Sequence, residues 1–232
     1  MPVDDFIFGQ GIYTPREAAR LVGVTAQDIL RWTRGSGSNE PLWHGHFQDL
    51  DDATEINFSD LIEARVVRAL RKAGASMQAV RFALKLAKHK FSSEYPLSSL
   101  GFKTDGKEIL IDALERDGEL LSLSSRSPGQ KVFKRIVSQS LNDLEYEDGE
   151  ATLWRPRSTK TVVIDPKRSF GTPIIEEYGI STATLYSEFL RVKDTKIISK
   201  IYEIPKSVIQ DAISFEKKLD LSNSGTNGRS SF

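Results

Sequence analysis

Apolar residues in the first ninety positions recur at helical spacing, and the residues around them mark where each helix starts and stops. Thr14-Pro15-Arg16-Glu17 sets a threonine N-cap, a proline at the first helical position and a glutamate at N3, the arrangement of a capping box. Ala18, Ala19 and Val22 give the following helix a short apolar face, and Gly23 suits the left-handed residue that ends it. Thr25 caps a second helix, Ala26 to about Thr33, with Ile29, Leu30 and Trp32 turned partly inward. Two short helices joined by a Gly-containing turn form a helix-turn-helix, whose second helix enters the major groove of DNA. Two caps and a glycine also describe a plain helical hairpin, so the residues that follow decide the reading.

Residues 35–57 are Gly/Ser-rich, then aromatic and acidic, with Trp43 and Phe47, and the stretch has the size of a β-hairpin wing. Ser59 is placed to cap a third helix, with Ile62, Val66, Ala69 and Ala73 on one stripe and Arg65, Arg68 and Lys72 on another. Gly74 ends it, Ser76 caps a fourth, and Arg81, Lys85 and Lys88 share a face of that helix. Further on, Asp105-Gly106, Asp117-Gly118 and Asp148-Gly149 lie between apolar runs, the strongest short-range hairpin signal. They predict strands near 97–103, 107–115, 119–124 and 150–154, around a helix of about 130–142 carrying Phe133, Ile136, Val137 and Leu141. In the last quarter Ser181, Asp194 and Pro205 open helices of about 182–191, 195–202 and 205–219. Leu185, Phe189, Ile197, Ile201, Val208, Ile209, Ala212 and Phe215 are their expected core. Ser222 to Phe232 is Ser/Gly/Asn-rich and reads as a disordered tail.

The pattern divides the 232 residues into a winged helix-turn-helix over 1–92, a small α+β unit over 93–158 that serves as dimerisation or spacer domain, a three-helix domain over 159–220 and the tail from 221. The expected class is α+β multidomain. Charge refines this picture. The formal net charge is zero, yet Ala64–Lys90 holds eight basic residues and no acid, while the acids of this third gather in Glu40–Glu63. Phosphate binding follows the local field of such a patch and not the global sum. Basic residues without acidic i+4 partners on consecutive helices therefore point to DNA binding, with Arg16, Thr25, Gln27, Arg31, Arg34, Arg65 and Arg68 as candidate contacts. Cysteine is absent, which excludes disulfides and thiolate metal sites. No basic leader or long apolar run is evident, so a cytoplasmic protein without membrane contact is expected.

The stretch "YTPREAARLVGVTAQDILRWTRG" followed by "INFSDLIEARVVRALRKAGASMQAVRFALKLA" resembles the DNA-binding domain of the MerR family over residues 12 to about 91. The long acidic 35–57 insertion departs from the basic wing that a backbone grip favours. The C-terminal segment, read from its residues alone, fits a second helix-turn-helix, a docking module or an oligomerisation unit. It also resembles the small helical domain of antitoxins that partner PIN-like ribonucleases, through Asp165-Pro166, Gly171-Thr172-Pro173-Ile174, Tyr202-Glu203-Ile204 and Ala212-Ile213-Ser214-Phe215-Glu216. Glu177-Tyr178-Gly179 stands where that domain carries Gly-Thr-Arg. The two resemblances together are similar to the larger VapB-type antitoxins.

The resemblance implies the antitoxin of a type II toxin–antitoxin system. It would neutralise a cognate PIN-like ribonuclease toxin by direct binding and, as a homodimer, bind operator DNA to autoregulate transcription. Lys217, Lys218 and Arg229 are the basic residues expected to meet the toxin's acidic pocket. The alternative is a MerR-type ligand-responsive regulator with the middle segment as sensor. A third, from another class, is a scaffold whose helix-turn-helix docks protein. Catalytic signatures are missing: no Gly-x-Ser-x-Gly elbow, phosphate loop or dinucleotide fingerprint occurs. His44, His46, Asp49 and Asp51 sit in a short polar loop, where such residues arise by chance. No enzyme activity, metal or cofactor is expected.

Overall fold

In the computed structural model, residues 8–50, 53–116 and 128–224 are described. The chain opens with α1 (Pro15–Val22) and α2 (Ala26–Arg34), each begun by a capping box, Thr14 with Glu17 and Thr25 with Asp28. Gly23 lies at φ 80°, ψ 47°, the left-handed conformation that closes α1 without a Cβ penalty. The long helices α3 (Phe58–Lys72) and α4 (Met77–Phe91) follow. The cap of α3 is Asn57 and not Ser59: the Asn57 side chain accepts from the Asp60 amide, and Asp60 answers on the Asn57 amide. Asn57-x-x-Asp60 thus supplies the reciprocal pair that a Ser59 cap lacks.

α3 is the centre of the molecule. Leu61, Ile62, Val66, Val67 and Leu70 are fully buried, because α1, α4 and α6 pack around it. Residues 35–57 do not form a hairpin wing. Among the described residues their β-type pairings are the isolated bridges Ser36–Asn39 and, to Tyr13, Ile56. Trp43 and Phe47 instead turn into the core. Trp43 Nε1 donates to Asp60 Oδ1 at 2.8 Å, and the His46 amide donates to Asp60 Oδ2 at 3.1 Å, so the insertion is strapped to the start of α3.

The middle of the chain is more helical than its Asp-Gly pairs imply. α5 (Leu100–Arg116) occupies the place of the strands expected at 97–103 and 107–115, and Gly106 lies within it. Phe102, Ile109, Leu110, Ala113 and Leu114 are buried at helical spacing, and the Ser99 hydroxyl accepts from the Phe102 amide at 3.1 Å as a cap. Periodicity therefore outweighs the local turn signal. Asp117-Gly118 and the strand expected at 119–124 lie outside the described residues. α6 (Pro128–Ser140) packs on α3 and α5, burying Phe133 and Ile136.

β1 (Leu144–Glu147) and β2 (Glu150–Trp154) form an antiparallel hairpin across Asp148-Gly149. Both turn residues have positive φ, 49° and 88°, as a type I′ turn requires. β3 (Val162–Val163) pairs with β4 (Ile174–Ile175), and Trp154 bridges to Ile164, which links the two small sheets. The fold class among the described residues is accordingly α+β: mixed helical with two small sheets.

α7 (Thr182–Val192), α8 (Thr195–Tyr202) and α9 (Lys206–Ser224) complete the fold. Leu185, Ile198, Ile204, Ile209, Ala212, Ile213 and Phe215 fill their core. Ile197 and Ile201, expected inside, are 45% and 60% exposed, because α8 turns its Ile198 edge inward. α9 also reaches α1: Arg20 Nη2 lies 2.7 Å from Glu216 Oε2 and 2.7 Å from Asp220 Oδ1. The Tyr13 hydroxyl donates to the Gly171 carbonyl at 3.0 Å, and a Cβ on Gly171 would stand 2.1 Å from that hydroxyl oxygen. Only glycine fits there. Buried apolar side chains from Tyr13 to Phe215 make one contiguous cluster, which crosses the sequence boundaries at 92–93 and 158–159.

Candidate nucleic-acid interface

The geometry of α1 and α2 fixes what their surface offers. The inward faces bury Ala18, Ala19, Val22, Ile29 and Trp32, with α1 packed on both α2 and α3. Arg16, Gln27, Arg31 and Arg34 are left exposed. Thr25 is half-buried and its hydroxyl is committed to the cap: it accepts from the Asp28 amide at 3.0 Å and donates to Asp28 Oδ2 at 2.8 Å. Arg31 forms an ion pair with Asp28 on the same turn, and Arg34 donates to the Ala53 carbonyl.

Beside α2, where α3 and α4 meet it, lies a cleft of about 540 Å³. Arg31, Arg68, Arg71 and Arg81 line it, with Asp28 as the sole acid among its lining residues. Arg81 is held in place by the Pro41 carbonyl at 3.1 Å and the Glu40 carbonyl at 2.5 Å, and Arg71 by the Ala75 carbonyl at 2.5 Å. Trp32 lines the same cleft, and its buried Nε1 has no hydrogen-bond partner among the described residues. Arg68 is half-buried, and burial pulls its pKa below the ordinary arginine value. The cleft is rich in donors and poor in acceptors, the chemistry that receives a phosphate oxygen.

Arg65 does not belong to this surface. It is 9% exposed, its Nη2 donates to both Asp143 oxygens at 3.2 and 3.0 Å, and its guanidinium carbon lies 3.8 Å from the centroid of Trp154. The i, i+3, i+7 stripe fails because α3 is covered on nearly every side and opens to solvent only around Arg71 and Lys72. Arg71, absent from the sequence candidates, enters the cleft for the same reason. A signal for it was present: it directly precedes Lys72 at the end of a helix whose apolar residues already surround its first three turns.

The C-terminal candidates sit on α9. Lys217 is exposed, with Nζ 5.4 Å from the centroid of Phe189. Lys218 lines a second cleft, with Phe215 and Arg157. Arg229 lies outside the described residues. Among those residues no group of three or more His, Cys, Asp or Glu is placed to hold a metal, and His44 only meets Asp49, at 3.3 Å. Asp51 is outside the described residues as well. No described helix is long and apolar enough to cross a membrane.

Known proteins place this geometry in context. Over 226 residues, 89% of this chain and 94% of its relative, the sequence is 28% identical to a Mycobacterium tuberculosis protein named "Putative antitoxin VapB45". The likeness spans both chains almost end to end. In structure, the fold matches the crystal structure of Rv2018 from Mycobacterium tuberculosis with a TM-score of 0.68 and 24% identity, covering 89% of this chain and 99% of that one. That match shows a shared fold. No protein-family profile matches the chain.

Proposed function

We propose that this chain is the antitoxin of a type II toxin–antitoxin pair. In this reading it blocks a PIN-like ribonuclease by direct contact and binds operator DNA as a homodimer to regulate its own transcription. The observation that carries the reading is the near end-to-end similarity to a protein named as a VapB antitoxin. The DNA-binding unit is residues 1–92, with α2 as recognition helix. Arg31 and Gln27 face base edges, Arg16 and Arg34 hold phosphates, and Arg68, Arg71 and Arg81 supply a cationic wall. Arg65 is left out because it is buried and paired. The toxin-facing surface is the C-terminal helical domain. Leu190 on α7 and Ile197 and Ile201 on α8 are exposed there, with Lys196 and Lys200 on α8 and Lys217 on α9. Apolar anchors flanked by cations suit an acidic nuclease pocket.

Two measurements test this. Co-expression with the nuclease encoded beside it should yield a stable complex and relieve toxicity; a chain that neither binds nor relieves any neighbouring toxin overturns the reading. Gel shifts with upstream DNA should weaken steeply as salt rises. Arg31→Ala should cost ~1–3 kcal/mol and relax sequence preference, and Arg16→Ala should weaken all sequences alike. The same binding in both variants would place the interface on another helix.

A further inference from the structure

Behind the DNA-facing cleft, a small recess opens between α1, α3, α6 and β2. Its volume is about 110 Å³, and Arg65, Arg68, Lys72, Gln139 and Trp154 line it, with Leu21 and Val22 closing one side. It shares Leu21, Arg68, Lys72, Gln139 and Trp154 with a wider cleft of about 490 Å³ that runs toward Arg157 and α9.

Charge in the recess is balanced by protein only at Arg65, which pairs with Asp143 of the adjoining cleft. Arg65 spends one nitrogen, Nη2, on Asp143, whose Oδ2 also accepts from Trp154 Nε1 at 2.9 Å. Its other terminal nitrogen, Nη1, is buried and has no hydrogen-bond partner. A buried guanidinium N–H left unpaired is costly, so native sites give it a partner. Arg68 forms no ion pair or hydrogen bond among the described residues, although half of it is buried. Lys72 is exposed at the rim of the recess. No carboxylate lines the recess, since Asp143 lies outside its lining and is already engaged by Arg65 and Trp154. Three cations, one of them Arg65 with its unpartnered Nη1, and one amide thus line a space larger than the ~30 Å³ of one water. Fixed donors with delocalised charge recognise a tetrahedral oxyanion.

We propose that this recess binds the phosphate group of a small phosphomonoester, on Arg65, Arg68 and Lys72, with the rest of the molecule in the adjoining cleft. The recess is walled by α1, α6 and β2 and continues into the cleft that runs toward α9; Arg68 is the one lining residue it shares with the Arg31 cleft. The bound molecule would touch the helix-turn-helix through Leu21 and Val22 and the middle of the chain through Gln139 and Trp154, and so bridge them. The inference stands independently of the antitoxin reading.

The test uses the full chain with inorganic phosphate and ribose 5-phosphate, against sodium chloride at matched ionic strength. Saturable binding by calorimetry is expected, with a melting-temperature rise of about 3 °C at ten times the dissociation constant. The Trp154 indole N–H resonance should shift. Ribose 5-phosphate should bind more tightly than inorganic phosphate, since it alone reaches the wider cleft. Lys72→Gln should weaken binding by about fivefold and Arg68→Gln by about tenfold or more, while Arg31→Ala, in the other cleft, leaves it unchanged. Lys72 is exposed and makes no ion pair among the described residues, so its variant folds and keeps the test decisive. Equal responses to phosphate and chloride, or equal affinities in wild type and Lys72→Gln, would mean that the recess holds only water and overturn the proposal. Competition by a short DNA duplex at equal phosphate concentration, lost in Lys72→Gln, would assign the site to DNA and overturn it too.

Discussion

Arg20→Ala should loosen the grip of α9 on α1, and the structure sets the size of the effect. Arg20 Nη2 is 2.7 Å from Glu216 Oε2 and 2.7 Å from Asp220 Oδ1, and Nε donates to the same Asp220 oxygen at 3.2 Å. Burial works against the guanidinium charge, but the hydrogen bonds it donates to Asp220 and Glu216 outweigh it and hold Arg20 above its usual pKa. Glu216 is 2% exposed, and its carboxylate also accepts from the Thr182 hydroxyl. Removing one member of a fully buried pair costs ~3–5 kcal/mol, mostly by stranding the other charge. Arg20 is 32% exposed, so water screens part of this, and ~2 kcal/mol is the appropriate figure. For a chain of this length that lowers the melting temperature by roughly 4–8 °C. Arg20→Met combined with Glu216→Met should recover most of the loss, because no charge is then stranded. Hydrogen exchange adds the location: amides of α9 should lose protection while those of α3 keep theirs. A loss below ~0.5 kcal/mol, or strict additivity of the two single variants in a double-mutant cycle, would show that the pair does not join the two ends of the fold.

Three further predictions follow from single side chains. Glu63 is fully buried and burial pushes its carboxyl up to about 8, against an unfolded value of 4.5. The folded chain therefore holds a proton that the unfolded chain releases, so this contribution is complete below pH 4.5 and disappears as pH rises to about 8. At ~1.4 kcal/mol per pH unit the loss is roughly 5 kcal/mol; Glu63→Gln should flatten the stability profile in that window, and an unchanged slope refutes it. Gly23→Ala forces a Cβ onto φ 80° and to within 3.0 Å of the Arg68 guanidinium; a loss of ~1–2 kcal/mol in urea melts is expected, and no loss would mean that the α1 cap is not left-handed in solution. Trp43→Phe keeps the ring but removes the 2.8 Å bond to Asp60, which should cost ~1–2 kcal/mol and raise proteolysis within residues 35–57; an unchanged cleavage pattern would show that Asp60 does not strap the insertion down.

The elements legible in the sequence were those written in nearby residues. Thr14 to Glu17, Thr25 and Ser76 announce their helices because a cap and its partner lie within three positions. Asp148-Gly149 announces its hairpin because both residues must take positive φ and apolar strands flank them. Asp105-Gly106 gives the same local signal and is helical, since Phe102, Ile109, Leu110 and Ala113 find a helical neighbour in α4 that no local reading contains. Ile197 and Ile198 are adjacent isoleucines at the same propensity, and only the position of α9 decides which is buried.

The candidate site divides along the same line. Arg16, Gln27 and Arg31 lie on short helices with one covered face, so periodicity alone leaves them outside. Arg65 lies on a helix covered by three others, and its real partners, Asp143 and Trp154, stand 78 and 89 positions away. A basic stripe on a central helix thus carries two different meanings. Its exposed members supply charge to a surface, whereas its buried member needs an anion from elsewhere in the chain. Asp143 provides that anion for Nη2 and leaves Nη1 unmet. The unmet donor, and not the stripe that sequence reading favours, is what directs attention to the recess behind α1.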